Sequence, residues 1–425
     1  MPAGKRLSFL LKEWKMKAWM CMMFLCLMMT LSAQERVRFR DLSYSEALKQ
    51  AKAENKWVFM DCYTSWCGPC RRMAEKVFTQ KTAGDYFNPR FVCVKFDMEK
   101  GEGVELAKRL EVKSYPSFYI ICPDGSIRHK IVGGGELDEF IGRVEKGLHE
   151  KTSWQYWQQR YEAGNVKNKN DLMACYCVME EASENEKASE LYQRIWPLLT
   201  DKERVKPAYW QLYESYNCRL DSPQWEFLLA HLEDIRRHTG REKVDRYLQA
   251  RYGKILKDLI EGFRLREKIS FEELSKQILL INLEELTKML PLANLVVNQK
   301  TEELAALIEQ KLPDCSLDTL VFYASGFRGI SLLCKGKASE NWIKCGNRLA
   351  ASALQRMERE SDTLTAVGLL DYLNMLFCFQ QTLNPELCRQ IVVIVDKVLP
   401  QLPEDKDLAN VKQQMEQVRG KIENS

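Results

Sequence analysis

Two kinds of hydrophobic spacing divide the chain. In the first third, short apolar runs alternate with amphipathic stretches. Trp57–Cys62, Phe91–Asp97 and Ser117–Ile121 are nearly continuous apolar runs, the pattern of strands buried on both faces. Ser126–Val132 follows the turn signal Pro123-Asp124-Gly125, so the last two runs predict a hairpin. Val37–Phe39 predicts a short opening strand. Around Ser43–Glu54, Leu42, Ala47, Leu48 and Ala51 fall on one side and Lys49, Lys52 and Glu54 on the other, which predicts a helix capped by Ser43 or Ser45. Further helices are predicted over Arg71–Phe78, with a break near Thr82-Ala83-Gly84 and a close at Asp85–Pro89, and over Gly103–Leu110. After Gly133-Gly134-Gly135, Glu136–Leu148 turns Leu137, Phe140, Ile141 and Val144 inward. Helices alternating with strands, then a hairpin, predict parallel pairing through right-handed crossovers and an antiparallel edge.

From Lys151 onward the period is helical almost without interruption. Trp154–Tyr161 opens this region, and Gly164-Asn165 ends its first helix. Among the later segments are Asp171–Glu181, Lys187–Trp196, Trp225–His238, Val244–Phe263, Phe271–Ile281, Leu283–Leu290, Thr301–Leu312, Asp318–Tyr323, Gly329–Leu333, Ala338–Arg359, Leu364–Gln380, Glu386–Leu399 and Asp407–Ile422. Short connections between helices of this length predict stacked antiparallel hairpins. The Trp/Tyr/Leu/Ala-rich pattern is loosely tetratricopeptide-like, but no constant 34-residue period runs through it. Its Trp and Tyr stripes read as core rather than groove. Cys175 and Cys177 diverge on a helix and are not expected to pair.

The N-terminus changes the reading of charge. Lys5, Arg6, Lys12, Lys15 and Lys17 precede the apolar run Ala18–Met29, and Leu31-Ser32-Ala33 ends on a small residue. This is the form of a secretory signal peptide cleaved after Ala33; an uncleaved anchor is the alternative, and only then would the chain touch a membrane. The formal charge of the chain is +4. Taking residues 1–33 away removes five of 63 basic and one of 59 acidic residues and leaves 58 of each, so no basic face for nucleic acid is implied. The resulting division is 1–33 signal, 34–150 mixed α/β, and 151–425 helical, with a subdivision near 262–283. Export implies an oxidising compartment, periplasmic in a bacterium. Of the 15 cysteines, Cys21 and Cys26 leave with the signal. Most of the others sit in apolar patterns and read as buried small hydrophobes.

Candidate chemistry centres on Trp66-Cys67-Gly68-Pro69-Cys70. A strand leading into a CxxC pair and a helix leading out make a thiol–disulfide exchange motif. Half of a zinc site is the alternative. Structural zinc needs four ligands, and no second CxxC or HxxxH accompanies the histidines His129, His149, His231 and His238, so no metal and no cofactor is expected. Cys67 would lie in the first turn of a helix, where free N–H groups and the helix dipole favour a thiolate, which makes it the nucleophile. Cys70, one turn on, would resolve the mixed disulfide. Asp61, in an apolar strand, is the candidate acid/base for its proton. Pro69 stiffens the loop and Trp66 shields one side. Cys62 is expected to face away from Cys67.

These residues resemble the thioredoxin family, whose active-site pentapeptide residues 66–70 reproduce. Asp61 stands where that family carries a buried acid, and Tyr115-Pro116 where it carries its cis-proline. From Lys56 to Val144 the chain is most similar to the exported branch that includes the C-terminal domain of DsbD, a membrane reductant conduit. That similarity includes Asp61–Cys67 and Glu75-Lys76-Val77-Phe78. Tyr115 and the extra Cys62, Cys93 and Cys122 depart from the pattern. The resemblance implies an α/β thioredoxin fold, a central mixed sheet flanked by helices, followed here by an all-α helical array. It implies a redox-active Cys67–Cys70 disulfide and a substrate surface of Trp66, Gly68, Pro69, Tyr115 and Pro116, with Pro116 presenting backbone to an extended segment. The implied activity is reduction of disulfides in cell-envelope proteins, with electrons from a membrane donor protein. Two alternatives stay open: the same site working as oxidase or isomerase, and a helical partner-binding scaffold whose thioredoxin-like domain tethers clients.

Overall fold

A computed structural model of the protein describes residues 36–265, 267–312, 316–334, 339–359, 385–401 and a few positions between 412 and 420. The predicted signal 1–33 and the predicted helix 364–380 lie outside these residues, as does most of 407–422. The described residues divide into two compact units, one ending at Leu199 and one beginning at Thr200.

The first unit runs α1 (Tyr44–Glu54), β1 (Trp57–Tyr63), α2 (Gly68–Arg72), α3 (Lys81–Arg90), β2 (Phe91–Asp97), α4 (Glu102–Arg109), β3 (Ser117–Ile121), β4 (Ile127–Val132) and α5 (Leu137–Leu148). The four strands form one mixed sheet in the order β2-β1-β3-β4. β1 pairs parallel with β2 and antiparallel with β3, and β3 with β4 makes the antiparallel hairpin. The crossover-then-hairpin order thus emerges as the spacing predicts, and with helices on both faces this is the thioredoxin fold. The opening strand shrinks to one bridge between Phe39 and Cys93. Of the two candidate caps for α1, Ser43 serves: its hydroxyl accepts the Glu46 N–H, and the Glu46 carboxylate accepts the Ser43 N–H at 2.9 Å.

Alternation along β1 builds both layers of core. Phe59 points to the face carrying Met73, Val77, Phe78, Phe87, Phe118 and Phe140. Val58, Met60 and Cys62 point to the other, against Val92, Val94, Leu106, Tyr119 and the α1 alanines Ala47 and Ala51. Phe59 is the hub of the aromatic layer, with ring centroids 4.7 Å from Phe87, 5.7 Å from Phe118 and 6.0 Å from Phe78.

Two helical readings need correction here. The helix expected over Arg71–Phe78 gives way to a wider π turn at Met73–Val77, closed by Phe78 N–H donating to Met73 O at 2.9 Å. Residues 85–89 do close a helix, but a separate one that starts at Lys81 and ends one residue later, at Arg90. They belong to α3, in which Pro89 is the penultimate residue and its missing N–H costs only one bond of the last turn. Beyond β4 and α5, the unit continues through α6 (Trp154–Glu162), α7 (Lys169–Glu181) and α8 (Asn185–Ile195). These helices attach to β4 by polar contacts: Trp154 N–H donates to His129 Nδ1 at 3.0 Å, and Lys130 pairs with Glu184 at 3.1 Å. His129 is fully buried, and burial pushes its imidazole down to about 4, so it is neutral and able to accept.

Every regular element among the second unit's described residues is a helix. Many of the unit's aromatic residues are core, as the stripes predict: Trp210, Trp225, Tyr213 and Tyr252 are buried, whereas Tyr216 and Phe263 are exposed. Trp225 Nε1–H donates to the Tyr252 hydroxyl at 2.9 Å, which donates to Gln277 Oε1 at 2.6 Å. The helix expected to stop at Leu290 runs through Pro291 to Val297, and the two segments predicted around residues 318–333 are one helix, Leu317–Leu333. Gly329 does not break it. A Cβ there would stand 2.1 Å from Ile260 O, so the glycine lets two backbones cross in contact.

Because Phe59 supports the whole aromatic layer under α2, Phe59→Ala should destabilise the first unit by about 3–5 kcal/mol in denaturant unfolding. Leu198→Ala, at a half-exposed position, should stay within about 0.5 kcal/mol.

Candidate functional site

The site forms where β1 ends and α2 begins. Thr64, Ser65 and Trp66 carry the chain out of the sheet, and Cys67 takes the N-cap position of α2 with extended backbone. Its sulfur accepts the Cys70 N–H at 3.1 Å. This is where helix N–H groups lack partners, so negative charge on this sulfur is favoured. Gly68 and Pro69 fill the first two helical positions; proline is tolerated there, and open space surrounds Gly68. Cys67 and Cys70 are joined in a disulfide, each only 4% exposed.

Three predicted residues lie at the same end of the sheet, where Ser117 pairs with Cys62. The Tyr115–Pro116 bond is cis. Trp66 is 66% exposed and meets the Tyr115 ring edge-on, with centroids 6.1 Å apart. The Pro116 carbonyl accepts the Gly133 N–H at 2.9 Å, which ties the segment before β3 to the glycines after β4. Gly134 then lies directly against the Met73 sulfur, where a Cβ would come within 2.8 Å.

Asp61 lies two residues beyond Phe59 on β1, so it shares the face that carries α2. It is buried, and its Oδ1 has no hydrogen-bond partner. Burial pushes its carboxyl up to about 7, opposed by the charge of Lys95, its neighbour across the β1–β2 ladder. Cys62 faces the opposite layer, away from the disulfide, and burial raises its thiol well above the ordinary range.

Sequence reasoning missed the partners rather than the principals. The Trp66 indole N–H donates to the Glu99 carboxylate at 3.0 Å, and nothing in the spacing announces that contact. Lys95 did leave a signal: it is the one charge within the apolar run from Phe91 to Phe96. Among the described residues no group of His, Cys, Asp or Glu side chains could hold a metal ion. Beyond the pair, Cys62, Cys93, Cys175 and Cys345 are buried thiols outside any disulfide. Burial pushes Cys93, Cys175 and Cys345 up to about 12.

Residues 39–123 match the family described as thioredoxin-like. The thiol:disulfide interchange protein DsbD of Pseudomonas fluorescens is 34% identical over 100 residues, covering 23% of this chain and 17% of its own. Thioredoxin F of Oryza sativa is 40% identical over 90 residues, 21% of this chain and 44% of its own, so the chain spans under half the length of either relative. Thioredoxin Asp f 28 of Aspergillus fumigatus is 34% identical over 89 residues, 20% of this chain and 77% of its own. A solved structure described as a putative disulphide-isomerase from Bacteroides thetaiotaomicron shares 43% identity over 28% of this chain and 98% of its own, with a TM-score of 0.26. With 77% of Thioredoxin Asp f 28 covered at 34% identity, and with this sheet order and this dithiol, the chain belongs to the thioredoxin-like family.

Proposed function

We propose that this protein is a thiol–disulfide oxidoreductase that reduces disulfides in proteins outside the cytoplasm. One observation carries the reading: Cys67 Sγ sits at the N-cap of α2, hydrogen-bonded by the Cys70 amide and joined to Cys70.

The structure holds the oxidised form, which is the end of the proposed cycle. In the reduced form the Cys67 thiolate attacks one sulfur of a substrate disulfide. A new S–S bond forms to Cys67, and the other substrate sulfur leaves as a thiolate. The Cys70 thiol then gives up its proton, attacks Cys67 Sγ and expels the second substrate thiolate. Substrate gains two electrons and the Cys67–Cys70 disulfide is restored. A dithiol donor must return those electrons, and the DsbD-like similarity supports a membrane electron-donor protein in that role. Ionised Asp61, on the α2 face of β1, takes the Cys70 proton through water. Trp66, Gly68, Pro69, Tyr115 and Pro116 form the surface an extended substrate segment meets, and the Pro116–Tyr115 backbone offers it strand-like bonds. Export is supported by the basic, apolar and small-residue order of residues 1–33.

Insulin reduction by residues 34–425, driven by a small dithiol, should be readily detected and should vanish in Cys67→Ser. Equal rates for wild type and variant would sink the reductase reading. A Cys67/Cys70 potential near about −120 mV in a glutathione titration would instead favour an oxidant.

Asp61 gives a pH signature with a defined sign. Its folded pKa is raised from 3.8 to about 7, so its contribution to stability is full below about 4 and falls away as pH rises through 7. Asp61→Asn should therefore melt higher than wild type at pH 8, with the difference shrinking at pH 5. The same variant should slow release of reduced substrate on the order of 10²-fold at pH 7.5 and erase the rise of that rate through pH 7.

Residues 1–33 fused to alkaline phosphatase should give an active, exported enzyme in a bacterial host. A fusion that stays inactive in the cytoplasm argues against export.

A further inference from the structure

The glycines after β4 connect the site to a residue far along the chain. Arg143, on α5, donates from Nη2 to Val132 O at 2.7 Å and from Nη1 to Gly133 O and Gly134 O at 3.1 and 3.2 Å. One guanidinium thus holds three successive carbonyls. Gly133 has a left-handed backbone, φ +85°, that directs its own N–H to Pro116 O. Gly134 rests on Met73 in the π turn that follows α2. The same loop therefore touches the cis-proline segment and the π turn into which the dithiol helix runs.

Arg143 is fixed from its other side. Its Nε donates to Glu181 Oε1 at 2.8 Å, and Lys146 reaches Glu181 Oε2 at 3.3 Å. Glu181 is the last residue of α7. The side chains of Arg143 and Glu181 are only 15% and 9% exposed, so solvent screens this pair far less than a surface bridge. An arginine in that position would, without the carboxylate, leave a half-buried charge shared among carbonyls alone.

We infer that Arg143 and Glu181 are positioning residues for disulfide exchange: α7, outside the thioredoxin-type sheet, braces the loop that sets Pro116 against the dithiol. This rests on the oxidoreductase reading for its kinetic part. The geometry itself stands without it. Glu181 makes no contact with the sulfurs. It acts through Arg143, the carbonyls of residues 132–134, and the Gly133 N–H. The expected consequence is a loss of substrate positioning, felt in KM, rather than a loss of thiolate chemistry, felt in kcat.

The test uses the full-length protein and Glu181→Gln, which keeps the side-chain shape and removes its charge. Hydrogen exchange, followed by mass spectrometry, should accelerate on the order of tenfold in a peptide covering residues 130–136. A peptide covering residues 57–63 in β1 should exchange as in wild type. KM for insulin should rise several-fold while kcat changes less than twofold. Arg143→Lys keeps a charge but lacks the fork that spans Glu181 and the carbonyls together, so it should behave in the same way. Unchanged exchange at residues 130–136 in both variants overturns the brace. So does accelerated exchange in both peptides, which would make the pair a general support of the fold. Accelerated loop exchange with an unchanged KM overturns the positioning role. Since exchange is read without substrate, a wild-type protein inactive on insulin would sink the oxidoreductase reading and leave the brace to be judged on exchange alone.

Discussion

The register of β1 is the constraint on which the rest of the structure depends. This strand is hydrogen-bonded on both sides, to β2 and to β3, and is buried on both faces. Its alternation sends Phe59 and Asp61 one way and Val58, Met60 and Cys62 the other. A slip of one residue would exchange the two sets. The carboxyl would then enter the layer of Val94, Leu106 and Tyr119, and the Cys62 thiol would take its place on the face carrying the dithiol helix. The aromatic cluster forbids this, because Phe59 must stay within a layer of six other phenylalanines. The packing of an apolar ring thereby fixes the position of a carboxylate two residues away.

Features carried by local spacing were legible in the sequence. The strands, their order, the hairpin and the fold class follow from apolar runs and turn residues, and Cys67, Cys70, Asp61 and Pro116 come to lie around one end of the sheet. Helix ends were less legible where long-range packing overrides a local breaker. Pro291 sits inside a helix, and Gly326 and Gly329 inside another, because burial of the surrounding apolar side chains and a close backbone crossing outweigh the local cost. The π turn at Met73–Val77 leaves no mark in spacing, since one extra residue in a turn preserves the apolar count. Contacts such as Trp66 with Glu99 and Arg143 with Glu181 could not be read at all, because they join polar groups 33 and 38 positions apart on surfaces defined only by the fold.

The region after residue 150 is less sharply divided from the sheet than its change of period suggests. α6, α7 and α8 fall in the same compact unit as the sheet, and polar links tie them to it: His129 to Trp154, Lys130 to Glu184, Arg143 and Lys146 to Glu181. Polar links need specific partners, whereas apolar burial tolerates sliding. They fix where these helices attach on β4 and α5 more tightly than an oily face of the same area would. The second unit uses the same device internally, in the buried chain from Trp225 through Tyr252 to Gln277.

The buried free cysteines have a consequence for traffic between thiols. Exchange proceeds through thiolates, and a thiol near 12 is ionised at neutral pH to only on the order of one part in 10⁵. Cys93, Cys175 and Cys345 are in that range, and Cys62 stands on the far face of the strand that leads to Cys67. Such groups are kinetically silent toward a disulfide that could in principle oxidise them. For these four buried thiols the low dielectric of the core acts as insulation, keeping them out of exchange at the Cys67–Cys70 pair.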